Sequence, residues 1–461
     1  MFVKQFVDEG LGNSSYLIAS EETGQAAVVD AQRDVDRYLQ VAEGLGFHIA
    51  YALDTHLHND FVSGAREIAS HVGAKVGASL EAQVDFEHLP LSDGSVLGLG
   101  ELRIVTLSTP GHTPEHISFA VYKGGEAAPS AVFSGGALIV GGAARTDLLG
   151  QELAVPLARQ LYRTIHGKLL DFPDEVTVYP THGAGSFCAA PTSAERVTTV
   201  GREKLWNLLA QTKDEQRFVT RALSGLPSFP TYFKYLREIN QRGPALLGGI
   251  PVMPPLNPEQ VFQLASQGVA ILDTRSPKAF AAGHIPGSFG IPLGAPLVTW
   301  AGWVIPFGSP LILVSRDAEE RKAAVRQLIR IGYDDLRGYL MGGFETWEAD
   351  ARQVSRVPVI SVQELAERLE QGKAPFILDV RSDTEWRAGH LPGAIHVEAG
   401  RLPLEHLSLP QEDLKVIHCG HADRSIVGIS VLEQRGYKNL VLLKGGFSSW
   451  QANGLEIVTD E

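Results

Sequence analysis

Short apolar runs alternate with amphipathic stretches along the whole chain. SYLIAS and AAVVDA read as buried strands, VDRYLQVAEGLG spaces its apolar positions as a helix does, and IAYALDTH returns to a strand. In the second half the pattern repeats itself. ILDTRSPKAFAAGHIPGSFGIP begins at Ile271 and ILDVRSDTEWRAGHLPGAIHVE at Ile377, and GGFETW at Gly342 returns as GGFSSW at Gly445. Each copy predicts strands (Ala270–Asp273 and Leu311–Val314; Phe376–Asp379 and Lys415–His418) alternating with helical stretches such as VQELAERLEQG. That order gives a parallel sheet with helices on both faces. A repeat near a hundred residues is a whole domain rather than a solenoid unit. The Gly- and Pro-rich stretch Arg242–Pro255 reads as a linker, and Ala351–Pro358 as a second, shorter joint. The expected domains are therefore 1–244, 255–355 and 356–461.

Composition narrows the class. With 461 residues, 44% hydrophobic and 20% charged, the chain is of ordinary globular make-up and too long for one core. No run approaches the roughly 20 apolar residues of a membrane span. The most apolar stretch, Ala131–Ala144, is short and broken by glycines. The first residues are charged at Lys4, Asp8 and Glu9, which argues against a signal peptide. Two cysteines, Cys188 and Cys419, exclude a disulfide framework and fit a reducing, cytoplasmic setting. A net charge of −13 argues against nucleic acid or an anionic membrane as partner.

Candidate chemistry in the first region begins where IAYALDTH runs into Thr55-His56-Leu57-His58-Asn59-Asp60. Side chains two apart on an extended backbone share a side, so His56 and His58 can face one ion. Pro-Gly-His at His112 and Thr-His-Gly at His182 follow, each after turn chemistry at a strand end. Together these spacings are a strong metal-ligand signal. The set, with THLHNDF, TPGHTPEHISF, FSGGALIVGGAARTDL, YPTHGAGSFC and YFKYLREIN, resembles the metallo-β-lactamase fold, and more closely its persulfide dioxygenase branch fused to rhodanese domains. The resemblance implies an αββα sandwich and one non-haem Fe(II) per chain, held by two His and one Asp, with open positions for a persulfide and O₂. By motif match the two His are His56 and His112.

The sequence also departs from that pattern. Ser134-Gly135-Gly136 stands where the family has Thr-Gly-Asp, so Gly136 supplies no carboxylate. Phe61 stands where a second-metal His is usual, which argues against a two-metal hydrolase. The candidate ligands are then His56, His58, Asp60, His112 and His182, with Asp60 a candidate substitute for the carboxylate and Zn the alternative to iron. Restoring Asp at 136 is expected to raise metal affinity if the turn admits a side chain. The bland reading is that these histidines are relics in a fold kept for packing. Arg145, with Asp147 in AARTDL, is expected to anchor a substrate carboxylate through its fork, against a plain salt bridge. Cys188 is read as a small buried hydrophobe.

The two repeats resemble rhodanese domains, which are doubly wound α/β units whose nucleophilic Cys follows a central strand. In the second copy KVIH ends at Cys419 and the loop runs Cys419-Gly420-His421-Ala422-Asp423-Arg424, with a helix from Ser425. A loop closing on a helix N-terminus aims backbone N–H groups inward, where they and the dipole stabilise a thiolate or persulfide. Arg424 is expected to add charge for an anionic donor such as thiosulfate. Asp379 and Arg381 are expected to pair beneath the loop, and His390 to be structural. In the first copy Ser315 takes the nucleophile's place, ahead of Arg316, Asp317, Ala318, Glu319 and Glu320. That copy is expected to be inert.

These readings combine into a sulfur-metabolism enzyme. The first domain would oxidise a thiol persulfide to sulfite, and Cys419 would move sulfane sulfur among small thiols, persulfides, sulfite and thiosulfate. Self-association stays open. The alternatives are a glyoxalase II-like thioester hydrolase, and a sulfurtransferase whose first domain is a non-catalytic scaffold.

Overall fold

Every residue of Asn13–Ala19 is buried, and alternation sorts them to two faces: Tyr16 and Ile18 one way, Leu17 and Ala19 the other. This double burial is the organising fact of the first region. The structure, a computed structural model, describes residues 1–189, 193–294, 297–407, 409 and 413–459. Two mixed six-stranded sheets form from Phe2–Asp8 through Leu89–Leu91 and from Val96–Leu99 through Thr198–Thr199, each with neighbours in chain order. Tyr16, Ile18, Val29 and Leu53 of the first sheet pack with Ile104, Phe119 and Phe133 of the second. The outer faces carry helices. Leu17 and Val28 pack with Tyr38 and Ile68, and Val132 and Val178 pack with Leu161, Ile165 and Phe218. The result is the four-layer αββα sandwich.

The compact unit holding this sandwich comprises Met1–Ile250 with Ile329–Gly332, and the second comprises Pro251–Leu328 and the chain from Tyr333 onward. The second unit contains both repeats. Each builds a five-stranded parallel sheet of the same order. The first is Pro255–Leu256, Leu336–Leu340, Leu311–Val314, Ala270–Asp273 and Phe289–Gly290. The second is Val359–Ile360, Leu440–Leu443, Lys415–His418, Phe376–Asp379 and Ala394–His396. Core positions match across the copies: Ile271 with Ile377 and Trp347 with Trp450. The two repeats interlock rather than stand apart. The helix Asp423–Gln434 has its residues Ser425–Leu432 all buried, and it packs on Pro277–Ala282 and Phe289–Gly290 of the first copy. His284 of the first copy reaches Glu433 on this helix at 2.8 Å. No helix among the described residues is long and apolar enough to cross a membrane.

Candidate metal centre and cysteine loop

At one end of the sandwich, the segments after His48–Leu53 and Thr177–Pro180 meet the segment before Ile117–Lys123 and the end of Ala131–Gly135. Backbone bonds stitch them: Ile117 N–H donates to Thr55 O at 2.8 Å, and Thr181 N–H to Gly135 O at 3.0 Å. The helix Phe233–Arg242 and the residue before it clamp the His-x-His loop from outside. Tyr232 O–H donates to the Asp60 carbonyl (2.8 Å), and Asn240 Nδ2 to those of His58 (2.8 Å) and Phe61 (2.9 Å). Arg237 forks Glu115 at 2.9 and 2.8 Å, and Glu115 in turn accepts from Leu57 N–H at 3.0 Å.

His56, His112 and His182 come together here, each fully buried, with one ring nitrogen of each within 4.8 Å of the others. All three Nδ1 atoms are engaged. That of His112 donates to the Arg145 carbonyl (2.6 Å), that of His182 to Asn13 Oδ1 (3.2 Å), and that of His56 to Thr55 Oγ1 (2.8 Å). The Thr55 hydroxyl proton goes to Asp30 (2.9 Å), which leaves its oxygen as the acceptor. With the protons on Nδ1, the Nε2 lone pairs of His56 and His182 face each other at 3.4 Å. That arrangement needs a proton or a cation between them. Burial, and then the neighbouring imidazoles, hold His56 well below the usual range and push both His112 and His182 down to about 3. Protonation is therefore disfavoured, and the donor set fits a metal ion, with outer partners fixing each ring.

The remaining candidates go elsewhere. His58, expected as a ligand, turns away and places Nε2 3.2 Å from Asp30 and 4.0 Å from Asp54. Burial opposes its charge, but Asp30 outweighs that and raises its pKa, while burial lifts Asp54 to about 6. His58 thus groups with Asp30 and Asp54 rather than with the three imidazoles, and Phe61 stacks on its ring at 4.0 Å. Asp60, expected to replace the missing carboxylate, accepts from Asn13 Nδ2 (2.7 Å) and lies 3.4 Å from Nδ1 of His182, behind the ring. It groups with His182 and Cys188 rather than with the three imidazoles. Cys188 is wholly buried, and burial and then Asp60 raise its thiol well above the ordinary range.

Gly136 changes the reading of its own substitution. A Cβ there would lie 2.6 Å from His112 Cδ2 and 2.9 Å from Ala144 Cβ, so the space a carboxylate would leave through is filled by the His112 ring. An Asp at 136 would displace the His112 ring rather than add a donor beside it. Arg145 is likewise unavailable as a substrate anchor. Its Nε and Nη2 close on Asp147 at 2.6 and 2.8 Å, and Nη1 donates to the carbonyls of Phe187 and Pro227. Its service to the site is the main-chain carbonyl that holds His112. Sequence reasoning missed His116, whose Nε2 accepts from Gly136 N–H at 2.9 Å, and Asp30, whose carboxylate gathers Thr55, His58 and Thr181. The signal for Asp30 was a lone acid ending an apolar strand, which is common and unspecific.

In the second unit, Cys419 follows the strand Lys415–His418 and is 2% exposed. The loop Gly420, His421 and Ala422 runs into the helix Asp423–Gln434, which begins two residues earlier than expected and takes Arg424 and Ser425 into its first turn. The next segment clamps its base: Phe447 N–H donates to Cys419 O (2.7 Å) and Ser448 N–H to Gly420 O (3.0 Å). Gly446, at φ +55°, permits this, since a Cβ would fall 2.2 Å from Cys419 O. Asp379 and Arg381 pair at 2.9 and 2.6 Å below the loop, and the guanidinium also donates to Gly389 O and lies over Phe447. His390 stacks on Trp386 at 3.6 Å, and its main chain bridges Val458. Arg424, expected to face an anionic donor, is instead held by Glu385 at 2.5 and 2.7 Å.

The rhodanese-like domain family matches residues 258–350 and 361–453. The human mitochondrial persulfide dioxygenase ETHE1 is 28% identical over 186 residues, covering 40% of this chain and 68% of that protein. A metallo-β-lactamase from Staphylococcus aureus is 32% identical in structural alignment, covers 73% of this chain and 98% of its own, and superposes with a TM-score of 0.67. This chain is a fusion of a metallo-β-lactamase-fold domain with two rhodanese-like domains. The fusion also has a hydrolase relative, the hydroxyacylglutathione hydrolase of Polaromonas, at 32% identity over 37% of this chain and 62% of that protein. The rhodanese-like domains and the persulfide dioxygenase relative together support a role in sulfur metabolism.

Proposed function

We propose that the first domain oxidises a low-molecular-weight thiol persulfide and that Cys419 transfers sulfane sulfur between thiols, sulfite and thiosulfate. The observation that carries the first half is the trio His56, His112 and His182, with every Nδ1 tied to an oxygen and the Nε2 atoms turned inward. These three residues would hold the metal, Fe(II) being the reading that fits the persulfide dioxygenase relative. A bound ferrous ion would supply open positions for O₂ and a sulfur anion. The chain's own residues keep the imidazoles neutral by burial and fix each ring through Thr55, Arg145 and Asn13. A two-metal hydrolase is less well supported, because His58 is held by Asp30 and Asp54 and Phe61 covers it.

One further observation favours a scaffold as the second reading: the trio has no carboxylate, and Gly136 leaves no space for one. Metal content with oxygen uptake on glutathione persulfide separates the readings. The dioxygenase reading expects iron that is lost in His112→Ala, and oxygen uptake that is lost with it. Zinc with thioester hydrolysis, or no metal and no uptake, would contradict it. Gly136→Asp is expected to lower metal content and melting temperature together, because it moves His112; higher iron content in that variant would show that the site reorganises to accept the carboxylate.

A further inference from the structure

Arg424 is the one Arg or Lys in the loop from Cys419 to Arg424, and it is not free. Nη1 donates to Glu385 Oε2 at 2.5 Å and Nη2 to Oε1 at 2.7 Å. Glu385 is fixed in turn, since its Oε2 also accepts from Ser382 Oγ (2.8 Å) and N–H (3.1 Å) in a capping box on the helix Asp383–Arg387. The pair lies against the residue that follows the nucleophile. A Cβ on Gly420 would sit 3.2 Å from Arg424 Nη2 and 3.9 Å from Glu385 Oε1. Arg381, the guanidinium beneath, is closed by Asp379. The internal repeat adds an independent sign that the two residues belong together. The first copy has Ala279 where the second has Glu385, and Glu320 where it has Arg424, so the first copy carries neither member of the pair.

We propose that Glu385 sets the donor specificity of Cys419: by holding Arg424 in a neutral pair, it favours organic persulfides over thiosulfate. The proposal rests on the transferase reading and names the donor class for it. In either reaction the Cys419 thiolate attacks the outer sulfur of the donor, the donor's S–S bond breaks, and a new S–S bond forms to Cys419. From R–S–SH the products are Cys419–S–SH and R–S⁻. From S–SO₃²⁻ they are Cys419–S–S⁻ and SO₃²⁻. The second path gathers three negative charges at the loop where the first gathers one, so it depends far more on an uncompensated cation.

The test uses the intact chain and its Glu385→Gln variant. Gln keeps the capping box and removes the charge. kcat/KM is read for thiosulfate and for glutathione persulfide with one thiol acceptor. The thiosulfate-to-persulfide ratio should rise about tenfold, by an amount that added salt reduces. An unchanged ratio, whether both rates hold or both fall, would overturn the proposal. Arg424→Gln should cost the thiosulfate rate more than the persulfide rate, and equal losses would show that Arg424 acts only by holding the loop. Sulfur appearing on Cys419 from neither donor, in any of these proteins, would remove the transferase reading itself and this proposal with it.

Discussion

The two rhodanese-like copies share a frame and differ in what fills the loop. Asp273 and Arg275 pair at 2.9 and 2.6 Å with a donation to Gly283 O, as Asp379 and Arg381 do with Gly389 O. Trp347 Nε1 donates to Gln353 O and Trp450 Nε1 to Glu456 O. The loops part ways above this frame. In the first copy the Glu320 carboxylate turns inward, accepting from Thr274 Oγ1 (2.7 Å) and from the backbone N–H of Arg316 (3.3 Å). A loop amide that could face a sulfur anion is met by the chain's own anion. The base is also looser: a Cβ on Gly343 would stand 3.7 Å from Ser315 O, against 2.2 Å at Gly446 and Cys419. The first loop is therefore expected to be silent for more reasons than a missing thiol.

The sharpest way to break this comparison is to exchange the nucleophiles. Cys419→Ser should lower sulfur transfer by at least about a thousandfold, and adding Ser315→Cys to it should recover roughly a hundredth of the wild-type rate or less. Full recovery would show that Glu320 does not matter. Adding Glu320→Gln to that double variant should raise its rate by about tenfold, since the built-in anion is gone. The same assay decides it, and no gain would place the defect in the loop's shape.

A third test asks how far the copies depend on each other. A Cβ at Gly290 would meet Ile426 Cγ2 and Phe280 Cε2, both at 2.7 Å. Gly290→Val should cost about 1–3 kcal/mol by overpacking and lower the melting temperature by several degrees. An unchanged melting curve would mean that the helix Asp423–Gln434 does not need this fit. The smallest effect concerns acid. Glu385 is partly buried, which opposes its charge, yet Arg424 draws it from the usual 4.5 down to about 2. A depressed carboxyl contributes stability above its unfolded pKa and loses it as pH falls toward the folded value. The melting temperature of the wild type over Glu385→Gln should thus be steady above about pH 5 and shrink between about 4.5 and 2. A difference that grows on acidification would contradict the pairing.

Much of this was legible in the sequence wherever a local pattern carries the information. Ile271 and Ile377 mark aligned strands because the repeat and the apolar run are both local. His56 ends the apolar run IAYALDTH, His112 and His182 follow turn chemistry at strand ends, and the sheets bring the three together. What was not legible depends on partners distant in the chain. His58 is drawn off by Asp30, which follows the strand Gln25–Val29, and Arg424 is closed by Glu385, which lies 39 residues earlier in the chain. Gly136 read as a missing ligand, but only the packing shows that the His112 ring stands in the way. Arg145 read as either a fork for a substrate carboxylate or a plain salt bridge, and its two contacts with Asp147 decide for the salt bridge.

The most direct test of the account is a peptide-resolved mass measurement on the intact chain after brief exposure to glutathione persulfide. The account predicts one added sulfur on the peptide containing Cys419, none on that containing Ser315, and removal of the sulfur by a thiol acceptor. An unmodified Cys419, or a sulfur there that no acceptor removes, would contradict it.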